Sequence, residues 1–315
     1  DVQIAHSMQQ PPRTSEVALV FSTPRKLPKP RELSGRVLVV DLAFASEASG
    51  GGFKGITLPF IDALGERLAA WIDHHDHAEH VRFRDDPRFV LATKAQRGAC
   101  PEMISPELVA RVGTVDTIVC HTDFDGLASA AKWMRGGIEP YPGCDDDARA
   151  IDTRLGTPSE IAMTADRALR ARPRDFGLLG LIVRHLASGL QDPSLWEPVR
   201  LAAEELRPIE EETRRAALGF VRIDPGIAVV DISGRRTRID KTLLLLLGQS
   251  RERIAVVIDD KTINLAARFD SGVDLLRMLG LSGGMPTRVS VDRKKLDDVC
   301  RALGMRCEEV ESVLV

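Results

Sequence analysis

Thr117-Ile118-Val119-Cys120-His121-Thr122-Asp123-Phe124-Asp125-Gly126 is the stretch on which the fold turns. Its apolar, β-branched start reads as a buried strand. The strand runs into three ligand-type side chains at alternating positions, His121, Asp123 and Asp125. In an extended segment, a period of two places all three on one face. Gly126 then permits a sharp turn into a helix with Leu127, Ala130, Ala131 and Met134 on one side. The amides at that helix's N-terminus would face the site and suit a phosphate. The same residues also fit an Asx-rich turn with a helix cap. The alternation of ligand types favours the functional reading.

Working outward, Val37-Leu38-Val39-Val40 is a second apolar run, ending in Asp41. Gly50-Gly51-Gly52 follows, and then Phe60, Ile61, Leu64 and Leu68 recur at helical spacing. A short strand, Ala70 to Ile72, delivers Asp73-His74-His75. Five of the seven histidines lie between positions 74 and 121. Imidazoles and carboxylates this dense are costly to desolvate unless a cation neutralises them. The donor types suit Mn²⁺, Mg²⁺ or Zn²⁺. Strands ending in Asp or His and alternating with helices predict an α/β fold, with a parallel sheet whose carboxyl edge carries the site.

A chain of 315 residues exceeds the usual single core. The organisation expected is an extended N-terminal segment (1–35), a catalytic α/β domain (36–157), a helical connector (158–218) and a smaller α/β domain (219–315). Pro11-Pro12 marks the leader, although Val17 to Phe21 could add a strand. The connector reads as helices over Ser159 to Ala171, Leu178 to Leu190 and Glu197 to Ala217, the last interrupted at Pro208. In the final part, Ile227 to Val230, Ile254 to Ile258 and Ile263 to Phe269 read as strands, and Val273 to Leu279 and Lys295 to Leu303 as helices. Net charge is −3 with no long basic run, which argues against extended binding to duplex nucleic acid. Five cysteines without a CxxC pair argue against a disulfide framework and fit a reducing cytoplasm. No apolar run is long enough to span a bilayer, and no signal peptide is visible at the start.

Other residues weigh less. Asp152 reads equally well as a ligand or as a cap. Asp145-Asp146-Asp147 reads as a solvated turn. Gly50 to Gly52 with Lys54 could cradle a phosphate but reads better as a flexible loop. His77 and His80 suit an outer shell or an exposed surface. His185, on an apolar helical face, reads as a core or interface histidine.

Asp73-His74-His75 resembles the signature of the DHH phosphoesterase superfamily. His121 to Gly126 looks like its first motif, Asp41 its second, and Asp152-Thr153 its fourth. Ile254 to Val257, Ala266 to Asp270 and Gly283-Gly284 are similar to parts of the associated DHHA1 domain. The motif order is permuted, because the first motif follows Asp73-His74-His75. The glycine turn reads Gly283-Gly284-Met285-Pro286 and lacks the family's His. The resemblance implies a phosphoesterase using two ions, usually Mn²⁺, with Mg²⁺ or Zn²⁺ as alternatives. The ligands it implies are Asp41, Asp73, His75, His121, Asp123, Asp125 and Asp152, with His74 and His75 at the reacting phosphate. Arg268, Gly283 and Gly284 would bind substrate. The expected substrate is a short oligonucleotide or a linear or cyclic dinucleotide. A pyrophosphatase or small phosphomonoesterase, and a non-catalytic nucleic-acid- or partner-binding member, are the rival readings. A homodimer is left open.

Overall fold

Ten strands form two five-stranded sheets in the computed structural model, which describes residues 17–314. The Pro11-Pro12 part of the expected leader lies outside those residues. The first sheet contains β1 (Ala18–Ser22), β2 (Val37–Val40), β3 (Leu68–Asp73), β4 (Phe89–Leu91) and β5 (Thr117–His121). Its order is β1-β5-β2-β3-β4, and every pair is parallel. The second holds β6 (Val221–Ile223), β7 (Ile227–Asp231), β8 (Ile254–Ile258), β9 (Thr262–Ala267) and β10 (Arg288–Asp292). Its order is β10-β9-β8-β7-β6, and only β7–β8 is parallel.

The expected α/β class with a parallel sheet is what the chain adopts. β2 and β3 are buried along their whole length, as a parallel sheet covered on both faces requires. The helices of the first half are α1 (Leu58–Leu64), α2 (Pro106–Val112), α3 (Phe124–Met134), α4 (Cys144–Thr153), α5 (Glu160–Ala171), α6 (Phe176–Ala187) and α7 (Glu197–Glu204). One face of the sheet, with Leu38, Val40, Ile72, Ile118 and Cys120, packs on α3 and on apolar residues of α4 to α7. The other face, with Val37, Val39, Trp71 and Val119, packs on Phe44, Phe53 and α1. α8 (Leu206–Ala217) carries the chain to the second sheet, where Ala216 and Ala217 pack with Leu244 and Leu245 of α9 (Lys241–Gln249). The far face of that sheet is covered by α10 (Leu275–Met278), α11 (Leu296–Leu303) and α12 (Cys307–Glu311).

Some boundaries differ from the sequence reading for local reasons. The long helix breaks at Glu205, not at Pro208. Pro208 falls in the first turn of α8, where a missing N–H costs nothing. Asp145-Asp146-Asp147 form the first turn of α4 and not a solvated turn. That end of a helix favours carboxylates. Asp147 is buried and accepts bonds from the Tyr141 hydroxyl and the Ser159 amide, both at 2.7 Å.

The topology also places the crevice. The chain runs from β2 through β3 to β4 on one side and returns as β5 on the other. The order therefore reverses at β2, where an open α/β sheet leaves a cleft at its carboxyl edge. Register puts Val40 opposite both Ile72 and Cys120. Asp41, Asp73 and His121 consequently leave the sheet at one level, and the permuted motif order still brings three strand ends together.

Candidate metal centre

Asp41 follows β2 with φ of +55°, a left-handed conformation that Asp tolerates better than most residues. Its N–H donates to the Ile72 carbonyl at 2.9 Å. This turn fixes the carboxylate in the crevice with 1% exposure, and neither oxygen has a hydrogen-bond partner. Burial first, then the neighbouring Asp125 and Asp123 charges, raise its pKa well above the ordinary carboxylate value.

His121 ends β5, and its Nδ1 lies 2.8 Å from Asp123 Oδ2 and 3.8 Å from Asp41 Oδ2. The close contact lacks hydrogen-bond alignment, so this buried nitrogen also has no hydrogen-bond partner. Burial disfavours charge on the ring, but Asp123 outweighs it and raises the pKa to about 9. Asp123 caps α3, with Oδ1 accepting the Gly126 N–H at 3.1 Å. The helix begins at Phe124, two residues before the expected start, so Asp123 and Asp125 are not on one face of an extended segment. The strand-to-helix turn sends Asp123 toward His121 and Asp125 toward His74. Gly126 matters for close approach: a Cβ there would lie 2.6 Å from the His121 carbonyl oxygen.

His74 is fully buried. Its Nδ1 lies 2.9 Å from the Arg97 carbonyl, which fixes Nδ1 as the donor. Nε2 faces a cluster: Asp125 Oδ2 at 3.1 Å, Asp41 Oδ1 at 3.2 Å and the Lys94 ammonium at 2.8 Å. Burial and then the Lys94 charge oppose a charge on the ring, but Asp125 and Asp41 outweigh them and raise its pKa well above the ordinary value. Asp125 also accepts from the Cys100 amide at 2.9 Å, and burial pushes its pKa up to about 6. Asp152, in the last turn of α4, is salt-bridged to Lys94. His75 Nδ1 is 2.7 Å from Asp73 Oδ1, leaving Nε2 for the cavity. Burial and then the Lys94 charge lower the His75 pKa to about 4. Burial would raise the Asp73 pKa, but His75 outweighs it and holds the carboxyl near 2.

Three donor groups result, each with its atoms within 4.8 Å of one another: Asp41–His74–His75, Asp41–His121–Asp123 and His74–Asp125–Asp152. Every expected ligand except Asp73 belongs to one of them, and Asp73 instead orients His75. His74, expected beside the phosphate, belongs to two. The orphaned Asp41 oxygens and His121 nitrogen are what a nitrogen- and oxygen-liganded divalent ion would satisfy. The residues therefore fit such an ion.

The centre floors a cavity of about 460 Å³, with Arg154, Arg170 and Arg288 on its walls together with Ile151, Leu169, Pro173 and Met285. Arg154 and Arg170 bond to Asp166. Arg288, on β10, donates to Thr242 Oγ1 at 2.9 Å and has no carboxylate partner among the described residues. Arg268 lines an adjoining cavity, but both sides of its fork bond Asp270, at 3.0 and 2.8 Å. Lys94 and Arg288 escaped the sequence reading. Lys94 sits alone in a loop after a three-residue strand, and Arg288 opens an edge strand with no motif around it.

Gly283 and Gly284 lie against the first sheet. Gly284 and Asp76 exchange both backbone bonds at 3.0 Å, and Ser282 Oγ accepts the Ala78 amide at 2.9 Å. A Cβ on Gly283 would meet His77 Cδ2 at 2.8 Å, at a φ of +94°. Both glycines have positive φ, so an alanine at either is strained by about 1–3 kcal/mol, and Gly283→Ala should lower Tm further than Gly284→Ala because only its Cβ also meets a neighbouring atom. Thermal unfolding of both variants checks this, and equal Tm values would refute it. His77 and His80 pack edge-on against Phe44. His185 is buried against Trp196, as a core histidine. Lys54 lines none of the three cleft cavities. All five cysteines are free, and no described helix is long and apolar enough to cross a membrane.

No family model and no curated protein matches the chain. Among solved structures, a pGpG-specific phosphodiesterase, PggH, from Vibrio cholerae is similar over 89% of this chain and 99% of its own, at a TM-score of 0.39 and 10% identity. A likeness this remote carries no argument about chemistry, so the functional reading rests on the side chains.

Proposed function

We propose that this chain is a divalent-metal-dependent phosphodiesterase acting on short oligonucleotides or on linear or cyclic dinucleotides. The observation that carries this reading is the pair of orphaned Asp41 oxygens beneath His121, whose side chain lines the floor of an arginine-walled cavity. Asp41, His121 and Asp123 would hold the cation, with Mn²⁺ the first choice and Mg²⁺ or Zn²⁺ as alternatives. Such an ion, when bound, polarises a phosphoryl oxygen and acidifies a bound water.

The chain's own groups do the rest. Asp73 holds His75 Nδ1–H, so His75 Nε2 faces the cavity able to accept or deliver a proton. Arg288 meets the phosphate with a fork not committed to a carboxylate. The apolar wall of Ile151, Leu169, Pro173 and Met285 suits a nucleoside and not a bare pyrophosphate, which favours a diester over the pyrophosphatase reading.

The test is a Mn²⁺-supplemented screen of linear and cyclic dinucleotides, oligonucleotides of roughly two to five residues, duplex DNA, pyrophosphate and an aryl phosphate. Short substrates should be cleaved with a shallow salt dependence, because few phosphates are contacted. Preference for pyrophosphate, or inertness toward all substrates, would overturn the proposal.

A further inference from the structure

The three donor groups are not equivalent. In the group His74–Asp125–Asp152, two of the three side chains already meet a cation made by the chain. Lys94 Nζ lies 2.8 Å from His74 Nε2 and is salt-bridged to Asp152 Oδ2. In the group Asp41–His121–Asp123, the two Asp41 oxygens and His121 Nδ1 have no hydrogen-bond partner.

Lys94 is built into this place. The loop after β4 is tied to β3 by the Ala92 amide, which donates to the Asp73 carbonyl at 2.9 Å. The Lys94 amide donates to Asp76 Oδ2 at 3.1 Å. The Lys94 side chain is 1% exposed, so its stem and ammonium lie in the packed interior. A divalent ion bound to His74 Nε2 and Asp152 Oδ2 at about 2.0–2.4 Å would collide with the ammonium. The ion and the ammonium cannot both occupy the space between His74 Nε2 and Asp152 Oδ2.

We infer that Lys94 fills one of the two cation positions, so that the centre takes a single divalent ion, on Asp41, His121 and Asp123. This rests on the metal-dependent reading of the same site and alters its stoichiometry. One ion and a fixed, buried ammonium would then share the neutralisation of the carboxylates, where the family resemblance implies two ions. A point charge that cannot dissociate makes half of that neutralisation independent of metal supply.

The experiment is Mn²⁺ binding to the metal-stripped full chain by calorimetry, with electron paramagnetic resonance of the loaded protein. The wild type should bind one Mn²⁺ per chain and give the spectrum of an isolated ion. Lys94→Met should bind two and show exchange coupling between them. Should Lys94→Met fail to fold, Asp123→Ala provides the second arm. With Lys94 in place it should lose measurable Mn²⁺ binding, whereas a chain with two ion positions would keep one. Two ions in the wild type, or one retained in Asp123→Ala, overturns the inference. A wild type that binds two ions and hydrolyses dinucleotides leaves the proposed function standing and the inference refuted. One that binds a single ion and hydrolyses nothing does the reverse.

Discussion

Asp41→Asn is expected to abolish Mn²⁺ binding and to lower kcat/KM on the order of 10³-fold or more, while making the metal-free protein more stable. The loss follows because Asp41 joins two donor groups and neither of its oxygens has a hydrogen-bond partner. An ion's contribution to the transition state is several kcal/mol, and each 1.36 kcal/mol is a factor of ten. The gain follows from the pKa. A buried carboxyl whose folded pKa lies above its unfolded value binds more protons in the folded state, so stability falls as pH rises from the unfolded toward the folded pKa. Asn carries no charge and escapes that loss. Without metal, the Tm advantage of Asp41→Asn should therefore be largest at neutral pH and vanish below the ordinary carboxylate range, where Asp41 is protonated in both states. Thermal unfolding in chelator and in Mn²⁺, at several pH values, checks both halves. A variant that keeps the Mn²⁺-induced Tm shift, or a Tm that drops at neutral pH in chelator, would show that Asp41 is not the unpaired ligand described.

Arg288→Ala should raise KM for a dinucleotide by about 10- to 100-fold, the equivalent of one charge-assisted hydrogen bond of roughly 1.5–3 kcal/mol. Arg268→Ala should change it by less than about threefold, because Arg268 does not line the cavity above the donor groups and both sides of its fork already bond Asp270. The contrast is informative because Arg268 is the residue that the family resemblance singles out, while Arg288 lines all three cavities of the cleft. Arg288→Lys should recover part of the loss, since a point charge replaces charge but not the planar fork. An aryl phosphodiester too small to span the cleft should be affected less by either substitution. If Arg268→Ala proves the more damaging of the two, Asp270 releases its partner to the substrate and the assignment reverses.

Much of the site was legible because strand-end chemistry is local. The apolar runs before Asp41, Asp73 and His121 mark parallel strands by composition alone, and a parallel sheet collects its strand ends at one edge. That reasoning tolerates permutation, since it uses where a strand ends and not the order in which it occurs. It misjudged the path from His121 to Asp125, where an extended alternation was expected and a helix begins at Phe124. The three side chains converge all the same, because Gly126 lets the helix sit directly on the strand end.

What the sequence by itself determined is the class of fold and a set of candidate donor residues of the types that suit a divalent ion, all of which follow from residue types and short-range periodicity. The tertiary structure alone decided which donors share a point in space, that Asp73 serves His75, and that Asp152 meets Lys94. It also decided that Arg288 and not Arg268 has a fork uncommitted to a carboxylate. Most of those facts depend on pairings between residues far apart in the chain, such as His74 with Lys94 and Arg288 with its cleft neighbours Asp152 and Arg154. A lone lysine or arginine carries no periodicity and no neighbouring motif. Its role is set by the carboxylates that folding brings to it, and only the packed chain specifies those.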